Sequence, residues 1–442
     1  MQKILELIHD KKYQAARRDL IQYNPVDLAE AFEQLNHYEQ IKIFRMLPKN
    51  LAADVFSYFS RDMQMQIIAM ITDRELGDIL DELFLDDAVD LFEEMPANVV
   101  KRLLKNTDDQ TRSLINQFLK YPEDSAGSIM TIEYVDLRKS MTVAEALEHI
   151  RMTGVDKATV YTCYVIDEAR KLLGTVSAHT LLVAPPLQKL SGLMETKVQY
   201  VTTTSDQEEA ARLFDTYDLV ALPVTDHEDR LVGIITVDDI VDVIQEENTE
   251  DFEKMAALLP SDEPYLETGA LLLARRRIPW LLFLMFSAIF TGAIITFFED
   301  SLAVMPALVA FIPMLMGTGG NCGSQAATLV IRGLALGQVK TGDALKVMFK
   351  ELQISLTVGA VLSLINIVRV YLMNDSLLLA VTVGISMFMT VVIAKLIGSL
   401  LPLLAEKLRL DPAIMASPVI TTVVDASALL AFFSVARLIL HI

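Results

Sequence analysis

From residue 275 onward the chain is a run of apolar stretches too long for the interior of a globular domain, at about 278–298, 302–331, 349–373, 376–402 and 413–440. Each holds enough residues to cross about 30 Å of hydrocarbon as a helix. Five membrane spans are therefore expected. In lipid every backbone polar group has to be satisfied within the protein, which restricts such stretches to helices. Their connections carry a charge bias: Arg275, Arg276 and Arg277 precede the first span, Lys340, Lys346 and Lys350 lie at the second connection, and Lys407 and Arg409 at the fourth. Glu299, Asp300, Asn374 and Asp375 lie at the opposite ends. Basic connections stay on the cytoplasmic side, which places the N-terminal part in the cytoplasm and the C-terminus outside.

Two spans contain polar exceptions. The last one, PVITTVVDASALL (418–430), carries Asp425 among apolar neighbours. A carboxylate at mid-membrane costs about 2.5–3.5 kcal/mol on insertion scales, so it faces protein or water and marks a candidate functional position. The second span, PMLMGTGGNCGSQAATL (313–329), combines Pro313 and four glycines with Asn321, Ser324 and Gln325. Such a stretch makes a poor lipid-facing helix and is expected to be broken where it lines a wet cavity. The plainer reading is close helix packing through small residues, and a plainer Asp425 is a neutral acid hydrogen-bonded inside the bundle. Asn321 and backbone carbonyls of the last span could supply oxygens beside Asp425, and a second copy of the chain would supply a second Asp425. One or two carboxylates around a largely hydrated ion suit Mg²⁺.

Charge is segregated as well. The chain has 442 residues and a net charge of −20, yet from Arg275 onward twelve basic residues outnumber eight acids, so the first 274 residues carry −24. This argues against a nucleic-acid partner and is compatible with cation binding, or simply with solubility. Two distant cysteines and six scattered histidines offer neither a disulfide framework nor a soft-metal cluster, leaving carboxylates and hard cations. The N-terminus, MQKILELIHDKK, lacks the basic and apolar regions of a signal peptide.

Before the spans the pattern changes twice. Residues 1 to about 120 read as short amphipathic helices recurring roughly every 25 residues, the signature of a superhelical stack of hairpins. Beyond 130, YVIDEARKLLGTVSAHTLL (164–182) matches LPVTDHEDRLVGIITVDDIV (222–241) about 59 residues later, with helix-like runs at 143–152 and 208–217 before them. This pair of βαββα units resembles tandem cystathionine-β-synthase (CBS) domains. The charged QEENTEDFEKMAALL then reads as a helix leading toward the membrane.

With MGTGGNCGSQAATL in span two and PVITTVVD in span five, the chain resembles the MgtE family of Mg²⁺ channels over essentially its whole length. The resemblance implies a helical N domain (1–128), CBS domains at 129–190 and 191–243, a connecting or plug helix (244–274) and a five-helix pore domain (275–442). It implies a homodimer in the lipid bilayer of the plasma membrane, with a pore lined by spans two and five. Asp425 then binds Mg²⁺ at the pore, Asn321 lines it and Asp411 stands near the inner mouth. It further implies regulatory Mg²⁺ at Asp206, Glu208, Asp218, Asp239, Asp242, Glu247, Glu250 and Asp251, and at Asp86, Asp87 and Asp90 of the N domain. ATP is an open possibility for the CBS tandem. Three rivals remain: an ion-coupled carrier using Asp425 as a proton or Na⁺ site, a membrane-anchored sensor, and an enzyme, the last with no nucleophile–base pair or phosphate-cradling loop to carry it.

Overall fold

Capping residues punctuate the first part of the chain. Asn24 accepts a hydrogen bond from Val26 N, while Asn36 and Thr72 form capping boxes with Glu39 and Glu75, each satisfying backbone donors that a helix start leaves open. The resulting helices are short: α1 Tyr13–Leu20, α2 Pro25–Glu33, α3 His37–Phe44, α4 Lys49–Ser57, α5 Arg61–Met70, α6 Asp73–Leu80, α7 Leu85–Glu94, α8 Ala97–Asn106 and α9 Asp109–Phe118. Helices of 8–10 residues are not stable alone. They are held by packing, α2 on α4, α4 on α6 and α6 on α8, with α3 on α5 and α7 on α9. This is the stacked arrangement that the 25-residue recurrence predicts. The computed structural model describes residues 4, 6–7, 10, 12–260, 265–266, 268–415 and 417–441, and falls into two units, Met1–Ile244 and Gln245–Ile442.

The repeat folds as β1 Asp136–Arg138, α10 Val143–Thr153, β2 Thr162–Ile166, β3 Leu172–Ser177 and α11 Ala178–Val183, then β4 Val201–Thr202, α12 Gln207–Tyr217, β5 Ala221–Thr225, β6 Leu231–Thr236 and α13 Val237–Met255. In both sheets the first strand pairs parallel with the second and the second antiparallel with the third, each with a bulge near the end of its hairpin. Gly174 and Gly233 occupy equivalent places in β3 and β6. A Cβ on Gly174 would lie 2.5 Å from Glu195 O, and one on Gly233 2.8 Å from Thr131 O, so close backbone approach fixes glycine there. One apolar core runs from Leu28, Phe56 and Phe92 of the helical stack to Phe214, Leu222 and Ile240 of the second repeat.

α13 carries the chain from the first unit into the second. Among the described residues, the segment expected as a connecting helix is helical only to Met255, and the next helix begins at Ala270. The second unit contains α14 Ala270–Phe297, α15 Glu299–Val304, α16 Ile312–Ala335, α17 Ala344–Asn374, α18 Leu377–Lys407 and α19 Ser417–Leu440. Among the described residues four segments are long and apolar enough to cross a membrane: 270–297, 341–374, 377–407 and 412–440. α16 is not among them, because its glycines and its Asn and Gln dilute its hydropathy. The expected break within it is also absent. α16 is continuous over 24 residues, with Pro313 in its first turn, where proline costs a helix nothing.

α18 is the centre of this unit, packing on α16, α17 and α19. Between α17 and α18 lies a charged pair that local sequence does not reveal: Lys395 Nζ is 3.7 Å from Glu351 Oε2, with side chains only 7% and 9% exposed. Removing one member of a buried pair strands the other charge at a cost of about 3–5 kcal/mol, whereas removing both is often near neutral. Lys395→Met should therefore lower the unfolding midpoint in detergent strongly, and Lys395→Met with Glu351→Gln should recover most of the loss. An unchanged midpoint in the single variant would contradict this.

Candidate functional site

Close contact between α16 and α19 is a consequence of glycine. A Cβ on Gly319 would meet Val424 at 2.9 Å, one on Gly320 would meet Thr421 at 3.0 Å, and one on Gly323 would meet Ile420 at 2.8 Å. Small residues thus allow the two helices to approach, as the plainer sequence reading holds. The same contacts set the register. Since Gly319 lies by Val424 and Ala428 while Gly323 lies by Ile420 and Val424, the helices run antiparallel and Asn321 stands at about the depth of Asp425. Asn321 and Gln325 share one exposed face of α16, and Asp425 is half-buried. Packing and polarity are therefore divided within one segment: the glycines face α19, while the amide side chains remain free of the interior.

A second group of charges surrounds the end of α13. Lys254 Nζ donates to Glu250 Oε1 at 2.6 Å and to Asp411 Oδ2 at 2.7 Å. Partial burial opposes the ammonium, but these hydrogen bonds outweigh it and hold its pKa above the ordinary lysine value. Asp411 Oδ1 accepts from Ala413 N at 2.7 Å, anchoring the carboxylate to the turn that precedes α19. Asp251 is pushed up by burial and then by the nearby Asp411 carboxylate. Arg332 at the end of α16 donates to Asn248 Oδ1 at 3.4 Å. Glu250, Asp251 and Asp411 thus come together, although Glu250 and Asp251 lie 161 and 160 residues from Asp411 in sequence.

In the first unit, Asp86 and Asp87 of α7 lie in electrostatic range of Asp239 at the start of α13. Burial, then Asp239 and Asp87, push Asp86 well above the carboxylate range. Burial, then Asp239 and Asp238, raise Asp87 to about 6. Asp239 also reaches about 6, chiefly through burial, even though Thr236 Oγ1 donates to its Oδ2 at 2.5 Å. Asp90 borders a cavity of about 160 Å³ with Gln64 and Asp87. Sequence reasoning missed Asp54, Asp238 and Glu133, which join this field; the doubled acid of TVDDIVDV was a signal for Asp238, and nothing local pointed to the others.

The remaining expected ligands have different settings. Asp206 caps α12 by accepting from Glu208 N, and Asp218 ends the same helix in a left-handed conformation with φ 50°. Glu208 lies in the first turn of α12, where an acid complements the helix dipole. Asp242 and Glu247 lie along α13, Asp242 exposed and Glu247 half-buried. Among the described residues, no three His, Cys, Asp or Glu side chains converge closely enough to hold a metal ion.

Residues 312–435 match a family model described as a divalent cation transporter, 23–124 match the MgtE intracellular N domain, and 126–186 and 190–246 each match a CBS domain. The magnesium transporter MgtE of Thermus thermophilus is 39% identical over 99% of this chain and 97% of its own length. That of Bacillus subtilis is 32% identical over 99% and 97%. The crystal structure of the cytosolic domain of the Mg²⁺ channel MgtE in complex with ATP is 39% identical, covers 54% of this chain and 98% of its own, and superposes with a TM-score of 0.52.

The raised acids of the first unit give a signed pH dependence. A carboxylate whose folded pKa lies near 6 binds its proton more tightly folded than unfolded, so stability falls as pH rises from about 4 to about 6. Thermal unfolding of the metal-free protein should show this fall, and Asp87→Asn with Asp239→Asn should reduce it, leaving the part that the buried Asp86 contributes. A slope as steep in the double variant as in the wild type would place the titration elsewhere.

Proposed function

Because the chain belongs to the MgtE family of magnesium and divalent cation transporters, we propose that it is a Mg²⁺ channel that admits the ion to the cytoplasm and is shut by cytoplasmic Mg²⁺. The observation that carries this reading is the pairing of α16 with α19. Glycine contacts bring Asn321 and Asp425 to one depth, with an oxygen-rich, singly charged character suited to a hard cation.

In this reading two copies of the chain form the pore, so that two Asp425 carboxylates balance a divalent ion held largely through its water. α16 serves as a span despite its modest hydropathy, since its 24 residues are long enough and its polar face looks onto the pore rather than lipid. Five spans with basic inner connections leave the first unit in the cytoplasm and the C-terminus outside. Asp411 stands at the inner mouth.

The acids of the cytoplasmic part form the sensor. Asp86, Asp87, Asp90, Asp239 and Asp242 act where the helical stack meets the second CBS repeat. Glu247, Glu250 and Asp251 act along α13, with Asp206, Glu208 and Asp218 as further ligands. A divalent ion between carboxylates lets them approach, and its loss lets them repel, which is the free-energy source of the gate. ATP is a second ligand of the CBS tandem in this reading, supported by the complex named for the cytosolic relative. An ion-coupled carrier is the alternative, with Asp425 titrating or binding Na⁺.

Purified protein in liposomes tests the pore. Asp425→Ala should reduce Mg²⁺ flux to that of protein-free vesicles while the dimer stays folded, because it deletes the pore charge and relieves a burial cost. Asp425→Asn should keep an oxygen and lose divalent preference. Near-normal Mg²⁺ flux through Asp425→Ala would overturn the assignment.

A further inference from the structure

We infer that Lys254 is a built-in latch, a tethered cation that holds the end of α13 on the segment entering α19 in the absence of a divalent ion. The functional consequence rests on the channel reading above, whereas the latch itself rests on geometry. One ammonium bridges carboxylates of two elements, Glu250 on its own helix at 2.6 Å and Asp411 before α19 at 2.7 Å. Both distances are those of charge-assisted hydrogen bonds.

The backbone prepares both partners. α13 ends in a Schellman motif, in which Ala257 N bonds to Lys254 O at 3.0 Å and Leu258 N to Glu253 O at 2.9 Å, with Ala257 at φ 55°. This stops the helix within a turn of Lys254, where a cation is favoured by the helix dipole and by a glutamate four residues earlier. α18 ends in the same way. Arg409 N bonds to Glu406 O at 3.0 Å and Leu410 N to Ala405 O at 2.9 Å, with Arg409 at φ 60°. The chain then emerges at Asp411, whose second oxygen is fixed by Ala413 N. Two helix ends thus present an ammonium and a carboxylate to each other. Met255 packs beside them against the apolar core of the second unit.

Charge decides what the latch does. Without Lys254, the carboxylates Glu250, Asp251 and Asp411 would face one another with no cation between them, and repulsion would separate α13 from the entrance of α19. With Lys254 in place, the two remain together before any metal arrives. A divalent ion seeking Asp411 has to displace or share this ammonium, so lysine and metal compete for one carboxylate. Removing the lysine has opposed effects on metal inhibition: it opens the resting state, which weakens apparent binding, and adds net negative charge, which strengthens it. The diagnostic condition is therefore chelated Mg²⁺.

Full-length protein in a bilayer or nanodisc supplies two independent readouts. With Mg²⁺ chelated, Lys254→Gln should speed amide exchange across residues 250–258 and raise the open-to-closed ratio about two- to fivefold, the range for a partly exposed ion pair. Lys254→Arg should behave as wild type. In an Asp411→Asn background, Lys254→Gln should add much less than it does alone. Unchanged exchange in Lys254→Gln, or a Lys254→Arg variant as open as Lys254→Gln, would overturn the latch. If wild type conducts without inhibition by cytoplasmic Mg²⁺, the gating reading fails, and the exchange data still decide the latch.

Discussion

Carboxylates share a small space only when a proton, a metal ion or a tethered cation stands between them. The two units meet that constraint differently. Around Asp86, Asp87 and Asp239, the burial of several acids shifts protonation toward neutral pH, an arrangement that any divalent ion could replace. Around Asp411, a lysine has been supplied by the chain itself. Asp425 differs from both, with no charged partner from its own chain among the described residues. The account gives its counter-charge to the transported ion and its duplicate to a second subunit.

Packing places these charges. Gly319, Gly320 and Gly323 let α16 lie against α19, and the approach forces the intervening Asn321 outward. A larger residue at Gly323 would press on Ile420 and Val424 and on the carbonyl of Ala394, shifting Asp425 before altering any ligand. The buried Lys395–Glu351 pair acts in the same framework by tying α17 to α18. In the proposed channel, selectivity and gating therefore rest in part on packing residues that need never touch the ion.

Much of this was legible in the sequence, and the limits have physical causes. The CBS-like repeat was visible because equivalent glycines and aspartates recur at one spacing, and β3 and β6 both need a glycine where another backbone passes. The long spans were visible because lipid tolerates few polar residues. The supposed break in α16 was misread because glycine and proline were taken as breakers. Pro313 sits in the first turn, and helix neighbours cover Gly319, Gly320 and Gly323. Lys254 with Asp411, and Glu351 with Lys395, join positions far apart in sequence, so no window along the chain could pair them. Asp206 and Asp218 also serve as helix ends, a role that the family pattern of acids conceals.

The central claim is that Mg²⁺ flows through the protein down its gradient and closes it from the cytoplasmic side. Current recorded across a bilayer containing only the purified protein, with Mg²⁺ titrated on the cytoplasmic face, tests both halves at once. The account predicts a Mg²⁺ current that persists without a proton or Na⁺ gradient and falls as cytoplasmic Mg²⁺ rises. Flux that requires such a gradient and is indifferent to cytoplasmic Mg²⁺ would contradict it.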